Sequence, residues 1–224
     1  MTPMKRLLVI NPNTSESVSA LLQQHIAQAL IDRAAAAVAH TVTARFGAPY
    51  IADEVSYQVA GHAALDAWGA EQKRAANPPD GVLIGCFGDP GLWALRECSP
   101  VPVIGLAEAA FTEAARLGRF AVVTGGERWG PMLQRLALQL GFAPQLAGVW
   151  TVAPSGAEMA ADPDAALRVL AQACQAAQAR WAPDALIIGG AGLAGMAAQL
   201  QPDCGLPLID SVQAGVRQLV GQIL

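Results

Sequence analysis

A chain of 224 residues with a formal net charge of −4 and a pI near 5.3 lacks the electrostatic footprint of a partner for nucleic acid or for an anionic membrane surface. Hydrophobic residues make up 53% of it but aromatics only 5%, so the core, which can remove roughly 70% of the unfolded surface at this length, is aliphatic and closely packed. The longest apolar run, 185–198, is broken by four glycines and falls short of the ~18 residues of a membrane span.

The chain is therefore one large domain or two small lobes. Its start, MTPMKRLLVINPNT, has too short an apolar run for a signal peptide, and a cytoplasmic protein is expected. Cys86, Cys98, Cys174 and Cys204 show neither CxxC nor Cys/His ligand spacing. No disulfide framework and no metal site is expected.

Taken in order, 7–10 is a buried strand, and the turn N-P-N-T-S at 11–15 leads into helical spacing from Val18 to Leu30. Residues 41–46 read as the second strand, 47–61 as a long loop, and 62–76 as a helix broken by N-P-P-D at 77–80. The third strand is 81–86, followed by a short helix; 101–106 is the fourth strand and 108–117 the fourth helix. The second half repeats the order. Strands at 119–124, 146–152, 185–189 and 206–210 alternate with helices at 131–140 and at 163 to about 180, with the GAGLAGM segment, and with a closing helix. Alternating strands and helices in two sets of four predict an α/β fold of parallel sheets covered on both faces.

The stretch VLIGCFGDPGL at 82–92 carries the chemistry. Cys86 falls where a buried strand ends, at the carboxyl edge of a sheet, and backbone N–H groups of Phe87, Gly88 and Asp89 should face the same crevice. The positive end of the following helix would favour a thiolate and a bound carboxylate or enolate. Read blandly, Cys86 is a small buried apolar residue.

The halves also match in residues. PVIGLAEA at 102–109 lies over PLIDSVQA at 207–214, and IGCFG at 84–88 over IGGAG at 188–192. Two lobes related by a pseudo-twofold axis are expected, their strand ends facing across a cleft. The predicted lobes are 1–106, joined by 211–224, and 107–210. Cys86 then faces Gly190.

INPNT at 10–14, CFGDPGL at 86–92, VPVIGLAEAA at 101–110, AVVT at 121–124, GAGL at 190–193 and PLID at 207–210 resemble the aspartate/glutamate racemase superfamily, and within it the hydantoin and allantoin racemase branch. The resemblance implies a cofactor-free isomerase of two α/β lobes that is usually a homo-oligomer. Its substrate is a small carboxylate, hydantoin or ureide, held between one cysteine from each lobe. One thiolate removes the Cα proton and the opposite thiol returns one.

Cys86 matches the first-lobe cysteine. The second, expected in a GCAG string, is Gly190 here. Glycine offers no proton, and a single thiol returns the proton to the face it came from. His62, where the predicted long loop meets the helix, is the titratable stand-in, because imidazole titrates near neutrality.

By the same resemblance Asn11, Asn13 and Thr14 hold substrate polar atoms, although a proline turn with a helix cap explains them equally well. Thr124, Gly125 and Gly126 occupy the matching strand end of the second lobe, where a hydroxyl and open backbone would bind a carboxylate or imide oxygen; otherwise they are a glycine turn. Ala191 and Gly192 complete an anion nest there. Asp89 is expected to cap the helix after Cys86, and Glu108 and Asp210 to cap theirs. Two other activities fit a single-thiol site: cofactor-free decarboxylation of malonate-type substrates, and ligand binding by a protein that has lost turnover.

Overall fold

Each half of the chain folds into one four-stranded parallel sheet. The computed structural model describes residues 4–74 and 78–224. In the first half β1 (Lys5–Asn11), α1 (Glu16–Asp32), β2 (Ala37–Thr43), α2 (Glu54–Arg74), β3 (Gly81–Ile84), α3 (Leu92–Cys98), β4 (Val103–Gly105) and α4 (Leu106–Ala115) alternate. In the second, β5 (Phe120–Gly125), α5 (Trp129–Gln139), β6 (Leu146–Val152), α6 (Gly156–Ala161), α7 (Pro163–Trp181), β7 (Ala185–Gly189), α8 (Met196–Leu200), β8 (Leu208–Asp210) and α9 (Ser211–Ile223) follow.

The sheets run β2-β1-β3-β4 and β6-β5-β7-β8. Their registers coincide, since Ile84 pairs with Gly105 as Ile188 pairs with Asp210. The sequence overlay is thus a structural one.

Every residue of β3 and β7 is buried, as in parallel strands covered by helices on both faces. The helices are exchanged between the halves: α9 packs on β3 and β4, while α4 packs on β7 and β8. The two touch along their length, joined by a bidentate ion pair from Arg217 to Glu113 at 2.8 and 2.6 Å.

Some boundaries differ from those predicted. The second strand is Ala37–Thr43 rather than 41–46, because all seven residues pair with β1 and the chain bends away after Ala44. The following helix begins at Glu54, not near His62, because Asp53 and Ser56 cap it: Ser56 N–H donates to Asp53 Oδ1 at 2.9 Å, and Ser56 Oγ accepts from Ala52 N–H at 3.0 Å. Its first turns expose Val55 and Val59, which hides the helical period. The predicted end of that helix and the start of the break at 77–80 lie outside the described residues. The short α6 was not predicted; Ser155 and Glu158 form a capping box at its start. Among the described residues no helix is long and apolar enough to cross a membrane.

Candidate active site

The carboxyl ends of β1, β3, β5 and β7 surround a cavity of about 50 Å³ between the two sheets. That is room for a few water-sized molecules. Asn13, Cys86, Phe87, Thr124, Gly125, Gly190, Ala191 and Gly192 all line it, so most of the predicted residues converge.

Cys86 is 8% exposed, just beyond the end of β3. The segment after it coils tightly, with φ of +144° at Gly88, +54° at Asp89 and +82° at Gly91, so α3 begins only at Leu92. This removes the predicted support from the helix terminus. Asp89 N–H is taken by the Cys86 carbonyl at 3.1 Å, and burial together with the nearby Asp89 carboxylate pushes the thiol above the ordinary cysteine range.

Asp89 does not cap α3 as expected. It is completely buried and accepts the N–H groups of Ala107 at 2.9 Å and Glu108 at 2.8 Å, so it caps α4. Burial nevertheless pushes its carboxyl up to about 7. Glu108 is no cap either; its carboxylate pairs with Arg96 at 3.0 Å. Asp210 does cap its helix, accepting from Val212 N–H at 2.9 Å and Gln213 N–H at 3.0 Å, and it also receives Gly195 N–H at 2.7 Å.

The second-lobe wall is mostly backbone. Thr124 donates its hydroxyl proton to the Gly189 carbonyl at 2.7 Å, so it offers a ligand lone pairs rather than the donor that was expected. Gly190 has φ +144° and donates its N–H to Ser211 Oγ at 3.3 Å. The Phe87 ring crosses from the first lobe to lie on Gly189, where any Cβ would fall 2.3 Å from it.

Five predicted residues lie elsewhere, among them Gly126, whose N–H donates to the Val152 carbonyl at 2.9 Å. Asn11 is fully buried, but its Nδ2 donates to Asn13 Oδ1 at 2.9 Å, the Ser15 carbonyl at 3.0 Å and Ser19 Oγ at 2.9 Å; it shapes the loop and leaves Asn13 on the cavity. Thr14 pins that loop to its neighbour, donating its N–H to the Ala48 carbonyl at 3.1 Å. Gly88 lies under the Trp129 ring, and its carbonyl accepts from Tyr57 Oη at 2.8 Å. His62 is an exposed residue of α2 whose ring meets Phe46 edge-on. It is not among the cavity residues and does not stand opposite Cys86.

The sequence reading missed Tyr50, Ile51, Trp129 and Gly156, all on the cavity. Tyr50 and Ile51 come from loop 44–53 after β2, which rises at the same sheet edge as Cys86. The signal was topological: a loop leaving the carboxyl end of a strand beside the reactive one.

Among the described residues no cluster of three or more His, Cys, Asp or Glu side chains is placed to hold a metal ion. A cleft between pseudo-symmetric α/β lobes, with a thiol at one strand end, defines a class of enzyme. The sequence profile described as Asp/Glu/Hydantoin racemase matches residues 7–219, and the chain belongs to that family; it is an isomerase of the racemase type.

Hydantoin racemase of Paenarthrobacter aurescens is 33% identical, with 95% of this chain and 88% of that protein covered. The crystal structure of allantoin racemase from Pseudomonas fluorescens superposes with a TM-score of 0.88 at 26% identity, covering 96% of this chain and 89% of that one. Allantoin racemase from Klebsiella pneumoniae gives 0.86 at 30% identity, covering 97% and 86%. Arylmalonate decarboxylase, at 18% identity, a TM-score of 0.63 and coverage of 96% and 92%, shares the fold alone.

Proposed function

We propose that the protein racemises a five-membered cyclic ureide of the hydantoin or allantoin class at the carbon next to its carbonyl, without metal or organic cofactor, and that Cys86 is a proton-transfer group. The observation that carries this reading is the position of Cys86, a thiol at a strand end on the wall of the inter-lobe cavity. The same wall and its opposite offer polar contacts suited to an imide ring. Asn13 has its Oδ1 engaged by Asn11 and by Ser15 N–H, which leaves its amide N–H groups to donate to a ring carbonyl. The N–H groups of Ala191 and Gly192 open the short 3-10 turn 191–193 and, as the first of a turn, have no partner within it.

In this reading the Cys86 thiolate takes the Cα proton, and the electron pair spreads onto the neighbouring carbonyl oxygen, where such N–H donors stabilise it. The lobes act as 1–106 with 211–224 against 107–210, and the packing of α9 on β3 and β4 supports that division. The decarboxylase alternative rests on fold likeness alone. The test is optical rotation with enantiopure 5-substituted hydantoins and allantoin, run beside CO₂ release from an arylmalonate. Loss of rotation with the ureides is the expected result; CO₂ release without any racemisation would overturn the reading.

A further inference from the structure

Racemisation requires proton transfer on both faces of the planar carbanion, and Gly190 leaves the second-lobe wall without the matching thiol. Among the described residues lining the cavity only one side chain besides Cys86 can gain or lose a proton, and it is Tyr50. Tyr50 belongs to first-lobe loop 44–53, but its hydroxyl is seated on the second lobe. It accepts the Gly156 N–H at 3.1 Å and donates to the Gly125 carbonyl at 3.4 Å.

Gly156 in turn abuts the strand-end segment of Gly190, since a Cβ on Gly192 would lie 2.4 Å from the Gly156 carbonyl oxygen. The phenol is therefore linked through Gly156 to the turn 190–193, which carries the position where the second thiol is missing. The loop is fixed on both sides, by Thr14 N–H on the Ala48 carbonyl at 3.1 Å and by the Asp53–Ser56 cap. A long bond to Gly125 leaves the phenolic proton free to transfer, and the Gly156 N–H is placed to hold the phenolate that results.

We infer that Tyr50 is the second proton-transfer group, acting on the face of the substrate turned to the second lobe, opposite Cys86. This assignment rests on the racemase reading given above. The step balances within the pair. The Cys86 thiolate forms its S–H bond as the Cα–H bond breaks, the electron pair resting on the enolate. The Tyr50 O–H bond then breaks as a new Cα–H bond forms on the other face.

Thiol and phenolate are left, the state that converts the opposite enantiomer in the reverse sense. Exchange of one proton with water resets the pair. Burial raises both the thiol and the phenol, so the form holding one proton between them grows as pH rises. Racemisation should climb through the neutral and alkaline range.

The experiment follows each enantiomer in D₂O, by chiral chromatography and by loss of the Cα proton signal, for wild type, Tyr50→Phe and Tyr50→3,5-difluorotyrosine. Tyr50→Phe should lose racemisation by at least ~100-fold while still exchanging the Cα proton of one enantiomer with retention, through Cys86. The fluorinated phenol is more acidic with nearly the same shape, so the pH profile should move toward acid. A folded Tyr50→Phe enzyme that racemises within about threefold of wild type, or a fluorinated enzyme with an unmoved pH profile, overturns the assignment. Loss of exchange together with racemisation in Tyr50→Phe makes the residue structural and overturns it equally. A wild type that racemises none of the ureides instead sinks the parent reading, and the assignment with it.

Discussion

The two strand ends that face each other across the cavity have one topology and opposite chemistry. After β3 the chain places a thiol at Cys86 and coils tightly; after β7 the matching position is Gly190, at φ +144°. The helix caps have been exchanged in the same way. In the second lobe the carboxylate of Asp210, at the end of β8, caps the helix that follows. In the first lobe the equivalent position is Gly105, and Asp89 reaches in from the Cys86 loop to cap α4 instead. A Cβ on Gly105 would fall 2.1 Å from Asp89 Cγ, so the glycine is the space the carboxylate fills. One fold thus solves one helix cap by two routes, and the route in the first lobe ties the cap to the loop that carries the thiol.

Breaking that tie gives the largest expected effect on stability. Asp89→Ala leaves one buried and one part-buried N–H group without acceptors and should cost about 2–4 kcal/mol by urea denaturation. Adding Gly105→Asp transplants the second-lobe arrangement onto the first, at a backbone (φ −98°, ψ 150°) close to that of Asp210 (φ −80°, ψ 123°), and should recover at least about half of the loss. No recovery would mean that the two caps are not equivalent.

The same residue sets a pH dependence. Its folded-state pKa is raised from 3.8 to about 7, so the stability it contributes is complete below about 3.8 and is lost as pH climbs to about 7. Stability measured across that window should slope downward in wild type and flatten in Asp89→Asn.

A smaller effect is expected at Gly190→Cys, the substitution that would make the two strand ends alike. An added Cβ would press on Leu193 Cγ at 3.3 Å, so that side chain must give a little, and φ +144° is a conformation L side chains rarely adopt. The variant should lose about 1–3 kcal/mol of stability and gain no more than about threefold in racemisation rate, its thiol being held off the geometry that Cys86 has. A tenfold gain, read by optical rotation, would show that the 190–193 turn relaxes to accept a working thiol. Glycine at this point is accordingly more than a missing cysteine, because the backbone has settled where a cysteine does not belong.

The two lobes with their four-stranded parallel sheets and the convergence of Asn13, Cys86, Thr124 and Gly190 were legible in the sequence because buried parallel strands are continuous apolar runs ending in turn residues, whereas the strand order was not. What was not legible came from packing. His62 was read as standing at the end of a loop because the first turns of α2 face solvent on an irregular pattern. The acidity of Cys86 was misjudged because the segment between it and the start of α3 at Leu92 coils tightly rather than aiming the helix terminus at the thiol, and because Asp89 turns back toward α4. Asn11 and Thr14 belong to the right loop, but their hydrogen bonds are spent on holding it. Tyr50 escaped because nothing local marks it; only the meeting of loop 44–53 with Gly156 of the other lobe gives it a place on the cavity.

The central claim, that the strand-end thiol of the first lobe does proton chemistry at the substrate carbon, is tested most directly by Cys86→Ala. Racemisation of a ureide that the wild type turns over, followed by optical rotation on protein whose thermal unfolding remains cooperative, should fall by at least ~10³-fold, and Cα exchange in D₂O should be lost for the enantiomer facing the first lobe. A Cys86→Ala enzyme racemising within tenfold of wild type would contradict it.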